Sequence, residues 1–233
     1  MYVNISVVID CEVHMEAKPD LKSMTKKERA GYIWDYYKWF IIGGIVAIIV
    51  IVSTVRNFLS QKDPVFEFVA LNCENFTLTS EQFDEYLTMK GYDTSKEEVT
   101  VVNTILISDN AYTGDIDANA YASTMQLAAM FAAQEVDILI GRGQAYSVHA
   151  NEGALLDLRE YLSDEELSSI GEDNILYCIN EEDGFNYPCA IILDGNKWID
   201  EHPFYYSPCY IGVGVRSEHQ TEAIDFIKYI LEY

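Results

Sequence analysis

Met125–Ile140, MQLAAMFAAQEVDILI, passes from a helical pattern straight into a short strand. Within residues 118–134, Tyr121, Met125, Ala128, Ala129 and Ala132 recur at helical spacing and read as one face of a helix. Val136–Ile140 follows as a short, nearly unbroken apolar run, the pattern of a strand covered on both faces. Helix then buried strand is the unit of an α/β fold, and the neighbouring segments repeat it. Val65–Leu71 reads as a strand, and Thr79 with Gln82 as a capping box. The helix it opens carries Phe83, Tyr86 and Leu87 and ends near Gly91. Residues 98–107, EVTVVNTILI, read as a second strand, and a short helix is expected around 145–150. Ser163 with Glu166 is another capping box; residues 190–193 and 210–215 read as strands. A last helix carries Ala223, Phe226, Ile227, Ile230 and Leu231 on one stripe. This alternation predicts a single doubly wound α/β domain over residues 60–233, built on a mainly parallel sheet.

Upstream of that domain lie seventeen residues without a charge, Trp39–Val55, WFIIGGIVAIIVIVSTV. At 1.5 Å per residue they cover about 25 Å, and flanking residues extend the run toward the ~30 Å hydrocarbon core of a bilayer. Tyr32, Trp34, Tyr36, Tyr37 and Trp39 gather at one end, as an interfacial belt does. Residues 38–59 are therefore expected to form one transmembrane helix, with residues 1–37 as a short head. A buried core helix is rarely apolar on every face. A cleaved signal peptide would need a small-x-small site that Ser53-Thr54-Val55 does not provide. Lys22, Lys26, Lys27, Arg29 and Lys38 precede the run, which predicts a cytoplasmic head and an extracellular domain. Met24 could serve as the start as well as Met1.

Residues 60–233 hold eight Lys/Arg against thirty-two Asp/Glu, a net charge of −24. That excludes nucleic acid as an expected partner, because phosphate binding needs clustered cations. Cys73, Cys178, Cys189 and Cys209 fall in this domain. Four cysteines allow three pairings, spacing selects none, and buried free thiols fit as well. No CxxC pair is present, so neither a metal nor another cofactor is expected. Asp115, Asp117 and Asn119 start like a calcium loop, but Ala120 replaces its turn glycine and Gln126 its last carboxylate.

Four stretches together resemble the extracellular solute-binding proteins of bacterial ABC importers, of the type II periplasmic-binding class. They are MQLAAMFAAQEVDILI (125–140), with an Asp opening the third strand, and YSVHANEGALLDLREYL (146–162). EDGFNYPCAII (182–192) and YIGVGVRSEHQTEAIDFIKYIL (210–231) complete the set. In that family a second lobe of a hundred residues or more follows the Tyr-Pro entry. Here only DGNKWIDEHPFYYSP separates Leu193 from Cys209, too little to fold as a lobe. The resemblance thus implies one lobe of a clamp, the other reduced to an aromatic loop.

Ligands of open α/β sheets sit outside the carboxyl ends of the strands. Asn72, Asp109, Arg142, Gln144 and Tyr146 are expected there, with Trp198, Tyr205 and Tyr206 reaching over from the reduced loop. Arg142, between Gly141 and Gly143, is the leading candidate for a carboxylate or sugar hydroxyl. No GxSxG, HExxH or phosphate-binding glycine loop is present, so no enzyme is expected. Two readings remain: a tethered binding module for a sugar, amino acid or peptide, or a structural protein that docks on a transporter or envelope complex.

Overall fold

The computed structural model describes residues 25–59, 61–73, 78–107, 118–179, 184, 186–202 and 208–232. Two compact units divide the chain, Met1–Ser60 and Gln61–Tyr233. Helix α1, Lys26–Leu59, contains the segment Tyr37–Phe58, long and apolar enough to cross a membrane. It continues without a break into the basic and aromatic residues before that segment. Trp39 and Phe40 are 75% and 77% exposed.

The second unit is built on a six-stranded sheet. Its strands are β1 (Asp63–Leu71), β2 (Glu97–Ile105), β3 (Ile138–Gly141), β4 (Ile175–Ile179), β5 (Asn186–Ile192) and β6 (Tyr210–Val213). The order is β2-β1-β3-β6-β5-β4. β1 runs parallel to β2 and β3, while β6 is antiparallel to both β3 and β5, and β5 to β4. The sheet is therefore mixed, parallel at one end only, and the expectation of a mainly parallel sheet is corrected. The reason is β4. Ile175–Ile179, ILYCI, follows a short Gly-Glu-Asp-Asn turn, and sequence reading passed over it. It pairs antiparallel with β5.

Side chains alternate across β1 and fill two apolar layers. Phe66, Phe68 and Ala70 face one layer, Val69 and Leu71 the other. The first layer is closed by helices α2 (Asp84–Lys90), α6 (Lys197–Glu201) and α7 (Gln220–Glu232). Its centre is aromatic: Phe226 stands 5.2 Å from Phe83, 5.4 Å from Trp198 and 5.1 Å from Tyr86, ring centre to ring centre. The second layer is closed by α3 (Ala118–Ala133) and α4 (Gly143–His149). Helices on both faces make the unit an α/β sandwich.

Local sequence signals explain several boundaries. Thr79 and Gln82 form the expected capping box, ahead of a 3-10 turn at Ser80–Phe83 that leads into α2. Gly91 ends α2 at φ +89, a left-handed conformation that glycine adopts without strain. Ser163 and Glu166 form the second box, opening α5 (Asp164–Ile170).

Helix α3 forms as expected and keeps the five residues on one face, which is the outer one. It buries Ala120, Leu127 and Met130, with Phe131 partly covered, and turns Tyr121, Met125, Ala128, Ala129 and Ala132 outward. Both faces of α3 are apolar, so periodicity alone could not choose between them. The larger side chains win because they remove more apolar area from water.

Cys178 and Cys189 are joined by a disulfide, their Cα atoms 5.9 Å apart. Cys73 and Cys209 are buried and are not disulfide-bonded. The bridge ties β4, an edge strand, to β5. Replacing both cysteines by serine is expected to lower stability by about 2–3 kcal/mol through the closed loop it releases. Thermal melts of the oxidised and reduced protein should differ by roughly 5–10 °C.

Candidate functional site

The register sets which residues share an edge. Leu71 pairs with Gly141 and Ile105, and Gly141 with Tyr210, while Ile192 also pairs with Tyr210. The carboxyl ends of β1, β2, β3 and β5 thus lie along one edge. Asn72 and Arg142 follow directly on the paired residues Leu71 and Gly141, so two of the expected site residues come side by side.

Their roles differ. Asn72 is committed to structure: its Nδ2 donates to the Ile107 carbonyl at 2.9 Å, and its Oδ1 accepts from the Ile107 N–H at 2.7 Å. It staples the end of β1 to the continuation of β2 from a left-handed backbone at φ +56. Arg142 occupies the extended position just before α4 and is half-buried; Gln144, in the first turn of α4, is exposed. The glycines beside Arg142 have separate duties. A Cβ at Gly141 would press on Leu71 at 3.0 Å and on the Tyr146 ring at 3.1 Å, so Gly141 serves packing. Gly143 supplies the left-handed turn at φ +76. Burial foremost pushes the Cys209 thiol far up, and the charge of Arg142 opposes that rise, which sets Arg142 close to the start of β6.

Two expected site residues lie in the core. Tyr146 is wholly buried, its ring stacked on Tyr210 at 5.4 Å and its hydroxyl donating to the Leu139 carbonyl. Gly212 leaves the space for that hydroxyl, since a Cβ there would sit 2.9 Å from it. Trp198 is 2% exposed and belongs to the aromatic centre of the first layer. Asn196 caps α6 by accepting from the Trp198 and Ile199 N–H groups, and this turns the indole inward. Neither side chain presents a surface to a ligand. Asp109, Tyr205 and Tyr206 lie outside the described residues, as do Asp115 and Asp117 of the calcium-like run.

A cavity of about 350 Å³ opens farther along the same edge, beyond the end of β5. Leu162, Ile170 and Leu231 give it apolar walls, and Glu166, Asp194 and Glu232 give it carboxylates. Lys228 reaches into it but is paired with Glu166 at 2.7 Å, joining α7 to α5. Asn196, also in the lining, is committed through Nδ2 to the Ile230 carbonyl at 2.7 Å. Sequence reading found the capping role of Glu166 but not the cavity. Its walls come from α5, β5 and α7, and no local spacing links them.

The pairing of Glu166 has a pH signature. Lys228 and the Ser163 groups hold its carboxyl down to about 2. Lys96 and Ser95 do the same for Asp93, also to about 2. Both groups lie below their ordinary values, so their stabilisation is complete above about pH 4.5 and is lost as the pH falls toward 2. The thermal midpoint should fall across that window, and less so in Lys228→Met. Melts at half-unit pH steps would show it.

A second polar cluster lies at the opposite edge. Asp137, 1% exposed, accepts from the Glu67 N–H at 2.7 Å and the Ser217 hydroxyl at 2.6 Å. His219 Nδ1 is 3.1 Å from Asp137 Oδ2, the oxygen that also accepts from the Glu67 N–H, while the Ser217 hydroxyl is on Oδ1. The residue types are those of a hydrolase triad, but the connections are not. The Ser217 hydroxyl donates to the carboxylate, where a nucleophile would need the imidazole as its base. The cluster instead pins the start of α7 to the start of β3. Among the described residues no group of three His, Cys, Asp or Glu side chains is arranged to hold a metal.

No protein family, curated protein or solved structure matches the chain.

Proposed function

We propose that the protein is a membrane-anchored extracellular binding module, a one-lobed relative of the solute-binding proteins of bacterial ABC importers. The cavity beyond β5 carries this reading. It lies on the edge of the sheet where α/β domains take ligands, and it combines apolar walls with a carboxylate rim. That lining suits a small polar solute with an amine or hydroxyl groups, such as an amino acid, a sugar or a short peptide. An anion is disfavoured, because the lysine there already has a carboxylate. The Cys178–Cys189 bridge suits an oxidising compartment and so the extracellular orientation. Strand β6 lies beside β3 within the sheet, and the resemblance implies a return of the chain to this one lobe. The apolar segment Tyr37–Phe58 would be the anchor. No catalytic step is part of the proposal.

The test is a thermal-shift screen of the outer domain against amino acids, sugars and short peptides at millimolar concentration. A ligand present at about 100 times its dissociation constant adds roughly 2.7 kcal/mol, a shift of several degrees. A shift lost in Glu232→Gln but kept in Arg142→Ala assigns the cavity. The reverse result assigns the ends of β1 and β3. No shift with any compound removes the binding reading and leaves the docking one, which the outward apolar face of α3 favours.

A further inference from the structure

The apolar segment Tyr37–Phe58 has 22 residues, about 33 Å of helix, a little more than the ~30 Å hydrocarbon core. A helix longer than the core tilts, and its flanking residues decide toward which side. Helix α1 starts at Lys26, so the residues that precede the segment ride on the same helix. At about 100° per residue, Lys26, Lys27, Trp34, Tyr37 and Lys38 fall within one arc of about 120°. The two acidic positions of this stretch, 28 and 35, fall at least about 60° beyond one end of that arc, and Arg29 about 60° beyond the other. Lys26, Lys27, Trp34 and Tyr37 are exposed.

We propose that this face of α1 is a binding surface for anionic phospholipid headgroups, which hold the helix leaning toward it. The inference rests on the reading of Tyr37–Phe58 as the membrane anchor. Lys38 is the second residue of that segment and sits at headgroup level. Lys26 lies about 18 Å farther along the helix, and Lys27 little less. On an upright helix both would stand clear of the headgroups, which add only about 5–7 Å on each side of the core. A lean toward the lysine face lowers both ammonium groups toward the phosphates. Trp34 and Tyr37, on the same side, gain the interfacial position that their amphipathic rings favour. A lean the opposite way would carry the acidic positions to the phosphates instead. Zwitterionic headgroups offer the lysines no net charge, so the partner selected is an anionic lipid. The outer domain, at a net −24, is repelled by such lipids, so a preference for them reports on the head of α1.

The test uses the full chain in bilayers of phosphatidylcholine mixed with phosphatidylglycerol, with one lipid or the other brominated. Quenching of Trp34 and Trp39 gives the relative affinity of the helix for the two lipids, over a constant background from the buried Trp198. A preference of about fivefold or more for phosphatidylglycerol is expected at low ionic strength, the worth of one lysine at an anionic surface. It should shrink toward parity in about 0.5 M salt, where screening is strong. Lys26→Gln, Lys27→Gln and Lys38→Gln together should abolish it. A photo-cross-linker at Ala30, inside the arc, should give adducts with phosphatidylglycerol, and one at position 32, on the opposite side of the helix, should give few. Equal affinity for the two lipids, a preference indifferent to the triple variant, or equal adducts from both positions would overturn the inference. Alkaline carbonate extraction separates its failure from that of the anchor. A chain that stays in the membrane without a lipid preference removes this inference alone, and a chain that washes out removes both.

Discussion

Gly214→Ala is expected to destabilise the outer domain by about 3 kcal/mol or more, because the added methyl has nowhere to go. Gly214 bridges to Leu155, and its N–H donates to the Asp137 carbonyl at 3.0 Å. A Cβ on Gly214 would fall inside the van der Waals surface of the Val136 carbonyl oxygen. That oxygen belongs to the backbone entering β3 and cannot swing aside as a side chain could. With no strained backbone angle at stake, a Gly→Ala change would ordinarily stabilise by about 0.4–1 kcal/mol by restricting the unfolded chain. The clash reverses the sign. Chemical denaturation should show a lower midpoint at an unchanged slope, and a midpoint equal to or above the parent's would refute the packing described.

Asp137→Ala should cost about 3–5 kcal/mol, since it strands the buried groups that converge on the carboxylate. The Glu67 N–H and the Ser217 hydroxyl both lose their acceptor, and His219 loses its neighbour. In the parent, no fully buried side-chain nitrogen or oxygen among the described residues lacks a partner, so the variant creates a defect the fold otherwise avoids. Asp137→Asn keeps the shape but turns one oxygen into a donor among donors, and about 2–3 kcal/mol is expected. The diagnostic measurement is a double-mutant cycle with Ser217→Ala. Coupling of about 1 kcal/mol or more would show the hydroxyl and carboxylate acting as a unit; strict additivity would refute it. Glu67 reads the same cluster from its edge. Burial first, and then Glu135 and Asp137, push its carboxyl above the ordinary range. Its ionisation therefore opposes folding as the pH rises through and above its ordinary value. Glu67→Gln should raise the melting temperature at neutral pH and leave it unchanged well below pH 4.

The strands and helices that were legible carried their own signals. Thr79 with Gln82 and Ser163 with Glu166 are reciprocal caps that need nothing beyond four residues of sequence. The strand Val65–Leu71 is fixed by apolar content alone. What stayed hidden depends on partners far along the chain. Which face of α3 packs was undecidable, since alanine, methionine and tyrosine on one side compete with leucine, methionine and phenylalanine on the other. β4 is five residues long, and its strand identity comes from pairing with β5. The site expectation rested on residue type at strand ends. It put Asn72 and Arg142 at the carboxyl ends of strands, yet could not foresee that they stand side by side or that Asn72 is spent on Ile107. Nor could it foresee that Gly212 opens a hole for Tyr146, or that Asn196 turns Trp198 into the core. The cavity walls come from three elements more than thirty residues apart in part, so no window of sequence contains them.

The position of β6 bears on how the domain can be made. Tyr210–Val213 is the last strand to leave the ribosome, yet it sits between β3 and β5. Until it arrives, β2-β1-β3 and β5-β4 are two separate ribbons, each with an open inner edge of unpaired amides. Vectorial folding during synthesis is thus blocked at the final step, and the nascent domain must be kept from pairing those edges with other chains. A premature stop a few codons before residue 210 would leave a split sheet, a natural substrate for quality control.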